Sequence, residues 1–224
     1  MPPIVDKILA IYKPKGPTSR RVLNDIQRIT GERHIGHAGT LDPLASGVLV
    51  VGIGREATKK LKDVVASEKE YIAKIKLGET SATDDEEGEK TRIMKHESRI
   101  KREDIEKILT DFIGKIQQIP PVYSAIKIKG KEAYKRVRKG EDVKMEPREV
   151  EIKNIEILSH EYPFLTLRVI TGPGVYIRSL ARDIGEKLGV GGYLADLERT
   201  RVGNFKKEDA IALEEVGSRG IMLK

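Results

Sequence analysis

The sequence predicts an α+β fold, a mixed sheet with helices flanking it. Three observations carry this. Val48 to Ile53 is an unbroken apolar run, the pattern of a strand buried on both faces. Tyr71, Ala73, Ile75 and Leu77 alternate with polar Lys74 and Lys76, which is the period of a half-buried strand. Val22, Leu23, Ile26 and Ile29 recur at helical spacing. Strands separated by single helices, with several hairpin-like links, belong to the mixed α/β or α+β classes.

Taken in order, Ile8 to Tyr12 reads as a strand. Thr18 or Ser19 caps the first helix, which ends at Gly31. A polar, glycine-rich loop then leads into the Val48–Ile53 strand, and a short helix follows near Glu56–Val65. After the Tyr71–Leu77 strand, Asp84 to Glu89 reads as a solvated acidic turn. Ile105, Ile108, Leu109 and Phe112 mark an amphipathic helix. Ile152 to Leu158 and Leu165 to Ile170 are neighbouring strands joined near Pro163. Ile177, Leu180, Ala181, Ile184 and Leu188 have helical spacing up to Gly189. Leu194 to Val202 is the last strand, with a short helix expected near Glu208–Leu213. The chain is read as one catalytic domain, 1–224, with no separate C-terminal domain.

Composition narrows the chemistry. There is no cysteine, so neither disulfides nor thiolate chemistry is open to the chain. His34, His37, His96 and His160 show no ligand spacing, and no metal is expected. The absence of a signal-like or membrane-length apolar run points to a cytoplasmic protein. The formal net charge is +7, which suits a polyanionic partner. From Pro120 to Arg148 there are nine Lys or Arg against four Asp or Glu; from Glu79 to Asp111, seven against eleven. One face for a polyanion and one for water is the expectation.

The most informative stretch is Gly36-His37-Ala38-Gly39-Thr40-Leu41-Asp42-Pro43-Leu44-Ala45-Ser46-Gly47. It sets a histidine and a carboxylate on a tight loop at the mouth of a buried strand, where a rigid scaffold commonly holds chemistry. Pro43 pushes Asp42 into extended backbone. Taken alone, Asp42-Pro43 reads best as a turn opener or helix cap. Arg178 stands on the first turn of a predicted helix, where a cation is disfavoured unless it answers a nearby anion. Tyr71 alone reads as a core tyrosine, and Leu197 alone as strand packing. The run of Lys127, Lys129, Lys131, Lys135, Arg136, Arg138 and Lys139 reads as a solvated face or a loop for RNA.

The twelve-residue string resembles the catalytic motif of the TruB-type pseudouridine synthases, which isomerise uridine in the T arm of tRNA (position 55). Four further segments, in order, look like motifs of the same family: Tyr12 to Ser19, Lys69-Glu70-Tyr71, Pro120 to Lys127, and Gly174 to Leu180. The resemblance implies the pseudouridine synthase fold, a long, mostly antiparallel sheet with flanking helices and a central catalytic cleft. It implies that Asp42 either attacks C1′ or removes a sugar proton as the N1–C1′ bond breaks and C5 joins C1′. Arg178 would keep Asp42 ionised, Tyr71 would stack on the base and move the C5 proton, and Leu197 would touch the base. His37 would fill the space of the flipped nucleotide. Lys13 and Pro14 would pack beneath the loop, with Lys13 near a phosphate. Residues 120–147 would form a mobile thumb, gripping RNA through Lys127, Lys129, Lys131 and Arg136. No cofactor is implied, and a monomer acting on the T-arm stem-loop is expected. The alternatives are a guide-RNA-dependent synthase acting on ribosomal RNA and a non-catalytic tRNA-binding or tRNA-folding protein.

Overall fold

The computed structural model describes residues 6–93, 100–128 and 130–218. Two compact units are present. One comprises the chain up to Ile72 together with the chain from Leu197 onward; the other is Ala73–Asp196.

The first unit opens with β1 (Lys7–Lys13), α1 (Ser19–Thr30), β2 (Ile35–His37), β3 (Ser46–Ile53) and α2 (Arg55–Ala66). Helix α1 starts where expected, because the Thr18 hydroxyl accepts from the Arg21 amide at 3.1 Å. It stops at Gly31, whose left-handed backbone (φ 72°) lets its amide return to Gln27. Val22, Leu23 and Ile26 are buried, but Ile29 is 42% exposed. The last turn of α1 carries no buried residue, so the apolar stripe ends one turn early. All eight residues of β3 are buried. It lies antiparallel to β1, with Lys13 opposite Gly47, and carries β2 on part of its length, with His37 opposite Val51.

Strands β4 (Lys69–Leu77) and β12 (Gly192–Val202) each run through both units. In the first unit β12 is parallel to β3, with Arg199 opposite Gly47. Ala10, Ala38, Val48, Val50, Leu61 and Val202 form a core here. Burying one such valine or leucine contributes roughly 1.5–3 kcal/mol.

In the second unit the ribbon β5 (Glu79–Ser81) and β6 (Lys90–Arg92) is followed by α3 (Arg102–Leu109) and a 3₁₀ turn, Thr110–Phe112. Next come β7 (Gly114–Gln118), β8 (Lys127–Ile128), β9 (Lys131–Glu132), α4 (Ala133–Val137), β10 (Arg148–Glu161), β11 (Phe164–Thr171) and α5 (Ile177–Lys187). The ladder of this unit runs β12-β4-β11-β10-β7. The β10–β11 hairpin and α5 match the sequence reading, whereas no local pattern announces β7. Its inward positions are only partly apolar, and it gains its order by pairing with β10, Gln118 opposite Arg148.

Three further expectations are corrected. No helix forms at Glu208–Leu213. After β13 (Phe205–Lys206) a 3₁₀ turn at Lys207–Asp209 leads to β14 (Ile211–Ala212), which pairs in parallel with Ile11 and Tyr12, and α6 (Glu215–Ser218) comes later. A sheet edge beside β1 outweighs local helix preference there. The acidic turn is not wholly solvated, since Asp85 is 4% exposed. Finally, the basic segment has its own small core. Ala133, Val143 and Met145 are buried together, with Val122, Ile126, Ile128 and Val137 against them.

Candidate active site

Asp42 stands in the loop between β2 and β3, half-buried. Its surroundings are cationic. Lys13, at the end of β1, is fully buried and gives its ammonium to the carbonyls of Pro14 (2.9 Å) and Pro17 (2.8 Å). Burial holds its pKa down to about 8, with the charge of Asp42 opposing that fall and Arg199 adding to it. The expected phosphate contact of Lys13 is therefore corrected. The ammonium faces inward, beneath the loop, and its partners are carbonyls and the Asp42 charge.

Two residues that sequence reasoning gave no role here complete the setting. Arg199, 1% exposed on β12, donates to the carbonyls of Val48 (2.8 Å), Gly39 (3.0 Å) and, more weakly, Thr40 (3.5 Å). Lys69, 7% exposed, donates to Val65 O and Ser67 O at 2.6 Å each; burial, aided by Arg199, lowers its pKa to about 8. Ser19, a candidate helix cap by sequence, instead binds the loop. Its hydroxyl donates to the Leu41 carbonyl at 2.8 Å and accepts from the Leu41 amide at 2.9 Å.

In the same unit, Tyr71 points inward on β4, in phase with Ala73 and Ile75 as the alternation predicts, and Leu197 is buried on β12. His37 ends β2. Its Nδ1 is buried and, among the described residues, lacks a hydrogen-bond partner. Burial, then the charges of Arg199 and Arg20, hold it below the ordinary imidazole value. A neutral ring suits stacking better than ion pairing.

In the second unit, Arg178 occupies the first turn of α5, and the anion beside it in this unit is Asp85, where the resemblance implies Asp42. Asp85 lies 3.4 Å from Nη1, both side chains being buried. The guanidinium also donates to Thr83 O (3.2 Å) and Tyr123 O (3.0 Å). Asp85 in turn accepts from the Glu87 amide at 3.0 Å. Charge-assisted bonds of this kind fix the plane of a guanidinium. Next to it Arg182 bridges Asp84 (2.8 Å) and Asp183 (2.8 Å); burial raises the pKa of both carboxyls above the ordinary value despite Arg182.

The basic segment presents Lys127, Lys131, Lys135, Arg138 and Lys139 on its exposed side. Lys135 pairs with Glu132 (3.1 Å) and Arg136 with Glu141 (2.6 Å). Lys129 lies outside the described residues.

The description "TruB family pseudouridylate synthase (N terminal domain)" matches residues 27–177. The chain belongs to the TruB family. The description "tRNA pseudouridylate synthase B C-terminal domain" matches 178–222, from α5 onward. A relative named tRNA pseudouridine synthase B, from Clostridium tetani, is 43% identical over 96% of this chain and 73% of its own length. One of the same name from Parabacteroides distasonis is 43% identical over 95% of this chain and 92% of its own. Among solved structures, a chain of a Cbf5-Nop10-Gar1 complex superposes with a TM-score of 0.73 at 32% identity, over 94% of this chain and 53% of that one. A chain of an H/ACA RNP bound to a substrate RNA containing 2'-deoxyuridine gives 0.70 at 29%, over 94% and 52%. The TruB chain thus spans about half the length of these solved chains, and it shares their pseudouridine synthase fold. No described helix is long and apolar enough to cross a membrane.

Proposed function

We propose that this TruB-family chain isomerises uridine to pseudouridine in the T arm of tRNA, acting in the cytoplasm as a monomer and without metal or organic cofactor. The observation that carries the reading is 43% identity, over nearly the whole chain, to relatives named tRNA pseudouridine synthase B. Asp42 is assigned the assistance at C1′ as the N1–C1′ bond breaks. Arg178, its plane fixed by Asp85 and two carbonyls, is assigned to keep that carboxylate ionised. Tyr71 is assigned to the face of the base and to the C5 proton that leaves when C5 joins C1′. Leu197 supplies an apolar surface for the base, and His37 takes the space the extruded nucleotide leaves. The freed uracil must stay bound while it turns, so a dry pocket matters more than a second carboxylate. Lys127, Lys129, Lys131 and Arg136 are assigned to the RNA backbone.

Guide-dependent action is the second reading, since the similar solved chains belong to a Cbf5-Nop10-Gar1 complex and an H/ACA RNP. It is less favoured because identity to them is 29–32% against 43% to the relatives named tRNA pseudouridine synthase B. Release of tritium from C5-labelled uridine in a tRNA transcript, with the protein alone, tests the proposal. Release only with added guide RNA and partner proteins would support the second reading. Tight binding without release would leave an RNA-folding role.

A further inference from the structure

We propose that Arg199 and Ser19 are positioning residues for the reaction, acting through the backbone of the Gly39–Pro43 loop rather than by touching RNA. The inference rests on the assignment of Asp42 made above.

Five consecutive carbonyls of this loop are occupied. Gly39 and Thr40 give theirs to Arg199, Leu41 to Ser19, Asp42 to the Ala45 amide (3.1 Å) and Pro43 to the Gly16 amide (2.8 Å). Loops at a sheet mouth are ordinarily the mobile part of a fold, and Gly39, at φ 94°, lends no stiffness of its own. Three of the five carbonyls are thus held by side chains remote in sequence, and the other two by backbone amides. Ser19 closes a two-way ring on Leu41, the residue before Asp42. Arg199 ties the loop to Val48, so that loop and strand move as one.

An arginine suits this work and a lysine does not. Its planar fork reaches three carbonyls from one rigid group. The cost of keeping it is evident. It is a buried cation among other buried cations, and it donates to carbonyl oxygens. Where only packing is at stake, an apolar side chain of similar volume is often as stable or more so. Leu197, two residues earlier on the same face of β12, is buried and of that apolar kind. The backbones of β3 and β12 also meet closely at this arginine. A Cβ on Gly47 would lie 2.2 Å from the Arg199 carbonyl, so only glycine lets β3 and β12 approach this closely.

Three proteins decide the matter: the parent, Arg199→Lys and Ser19→Ala. Each is measured for single-turnover tritium release, for tRNA affinity, and for amide hydrogen exchange in the 38–45 peptide against β1 and α1 as internal references. Displacing a reacting group by about 1 Å costs about 100-fold in rate. Arg199→Lys should lose turnover by about that factor and Ser19→Ala by about 10-fold. Affinity should stay within about threefold, since the loss is confined to the transition state. Exchange should quicken in the loop and not in β1. Unchanged exchange in the loop, or quickened exchange with parental turnover, would overturn the proposal. If Arg199→Lys does not fold, Ser19→Ala carries the test alone. A parent that releases no tritium would strike the proposed function instead, while the exchange data would still judge the anchor.

Discussion

Asp42 is the one carboxylate between Gly36 and Gly47, and its placement gives the sharpest expectation at the scale of single residues. Asp42→Asn should abolish isomerisation while tRNA affinity changes by less than about threefold, because the charge serves the transition state and not phosphate binding. Single-turnover rates beside filter-binding affinities check this, and substantial residual turnover would remove Asp42 from the chemistry. Tyr71→Phe should bind RNA normally and turn over slowly, since the ring persists and the hydroxyl is gone; a parental rate would reduce Tyr71 to a stacking surface. These residues are legible in the sequence only through the assembled motifs. Alone, Asp42 reads as a turn and Tyr71 as core, and the fold does put Tyr71 inward. Arg199 and Asp85 escape such a reading for a physical reason. A buried charge leaves the same trace in a sequence as a solvated one until its partners are known. The one usable signal for Arg199 is its phase with the apolar Leu197, two residues before it in the strand.

Elements whose patterns are complete in themselves are readable: β3, β4, the β10–β11 hairpin, α1 with both caps, and α5. Those completed by a distant partner are not, namely β7 on β10 and β14 on β1. The basic segment belongs with them. Its apolar residues are interleaved with charges and meet only across the β8–β9 hairpin and α4, so no local period betrays their core. That core gives the segment a defined exposed side, and the test belongs there. Replacing Lys127 and Lys131 with Gln should weaken RNA binding and flatten its salt dependence. The log–log slope should fall by about 0.7 to 0.9 for each phosphate that is no longer neutralised. Arg136, already paired with Glu141, should contribute less. An unchanged slope would return these lysines to plain solvated surface. Gly47→Ala addresses the close approach of β3 and β12. The added methyl carbon meets backbone at 2.2 Å with φ at 107°, so this variant should not reach a native, soluble fold. A parental melting temperature would mean that the two strands separate freely.

Across the whole molecule, what the sequence could not convey is how much charge the fold takes inside. A net charge of +7 reads as surface for a polyanion, yet Lys13, Lys69 and Arg199 are among the buried side chains. Part of the basic character is thus internal, and it sets how stability responds to pH. Lys13 and Lys69 titrate near 8 in the folded chain, against 10.5 ordinarily. Between those values the unfolded chain holds protons that the folded chain has shed, so stability rises with pH across that window. Below about pH 8 both lysines are charged in either state and the burial penalty is fully present. Each lysine should regain about 3 kcal/mol by the upper end, at 1.36 kcal/mol per pKa unit. Lysines whose pKa is raised by a carboxylate, such as Lys115 beside Glu149, contribute stability that is lost only above about 10.5, past the end of this window. The contribution of Lys69 is read as a difference. Urea unfolding of the parent and of Lys69→Met, at intervals from pH 7 to 10, should show the parent gaining on the variant steadily above about pH 8. The variant's absolute stability does not enter, since removing the bonds to Val65 O and Ser67 O shifts it equally at every pH. Parallel pH profiles would show that Lys69 keeps an ordinary pKa in the folded chain, with its ammonium reaching water.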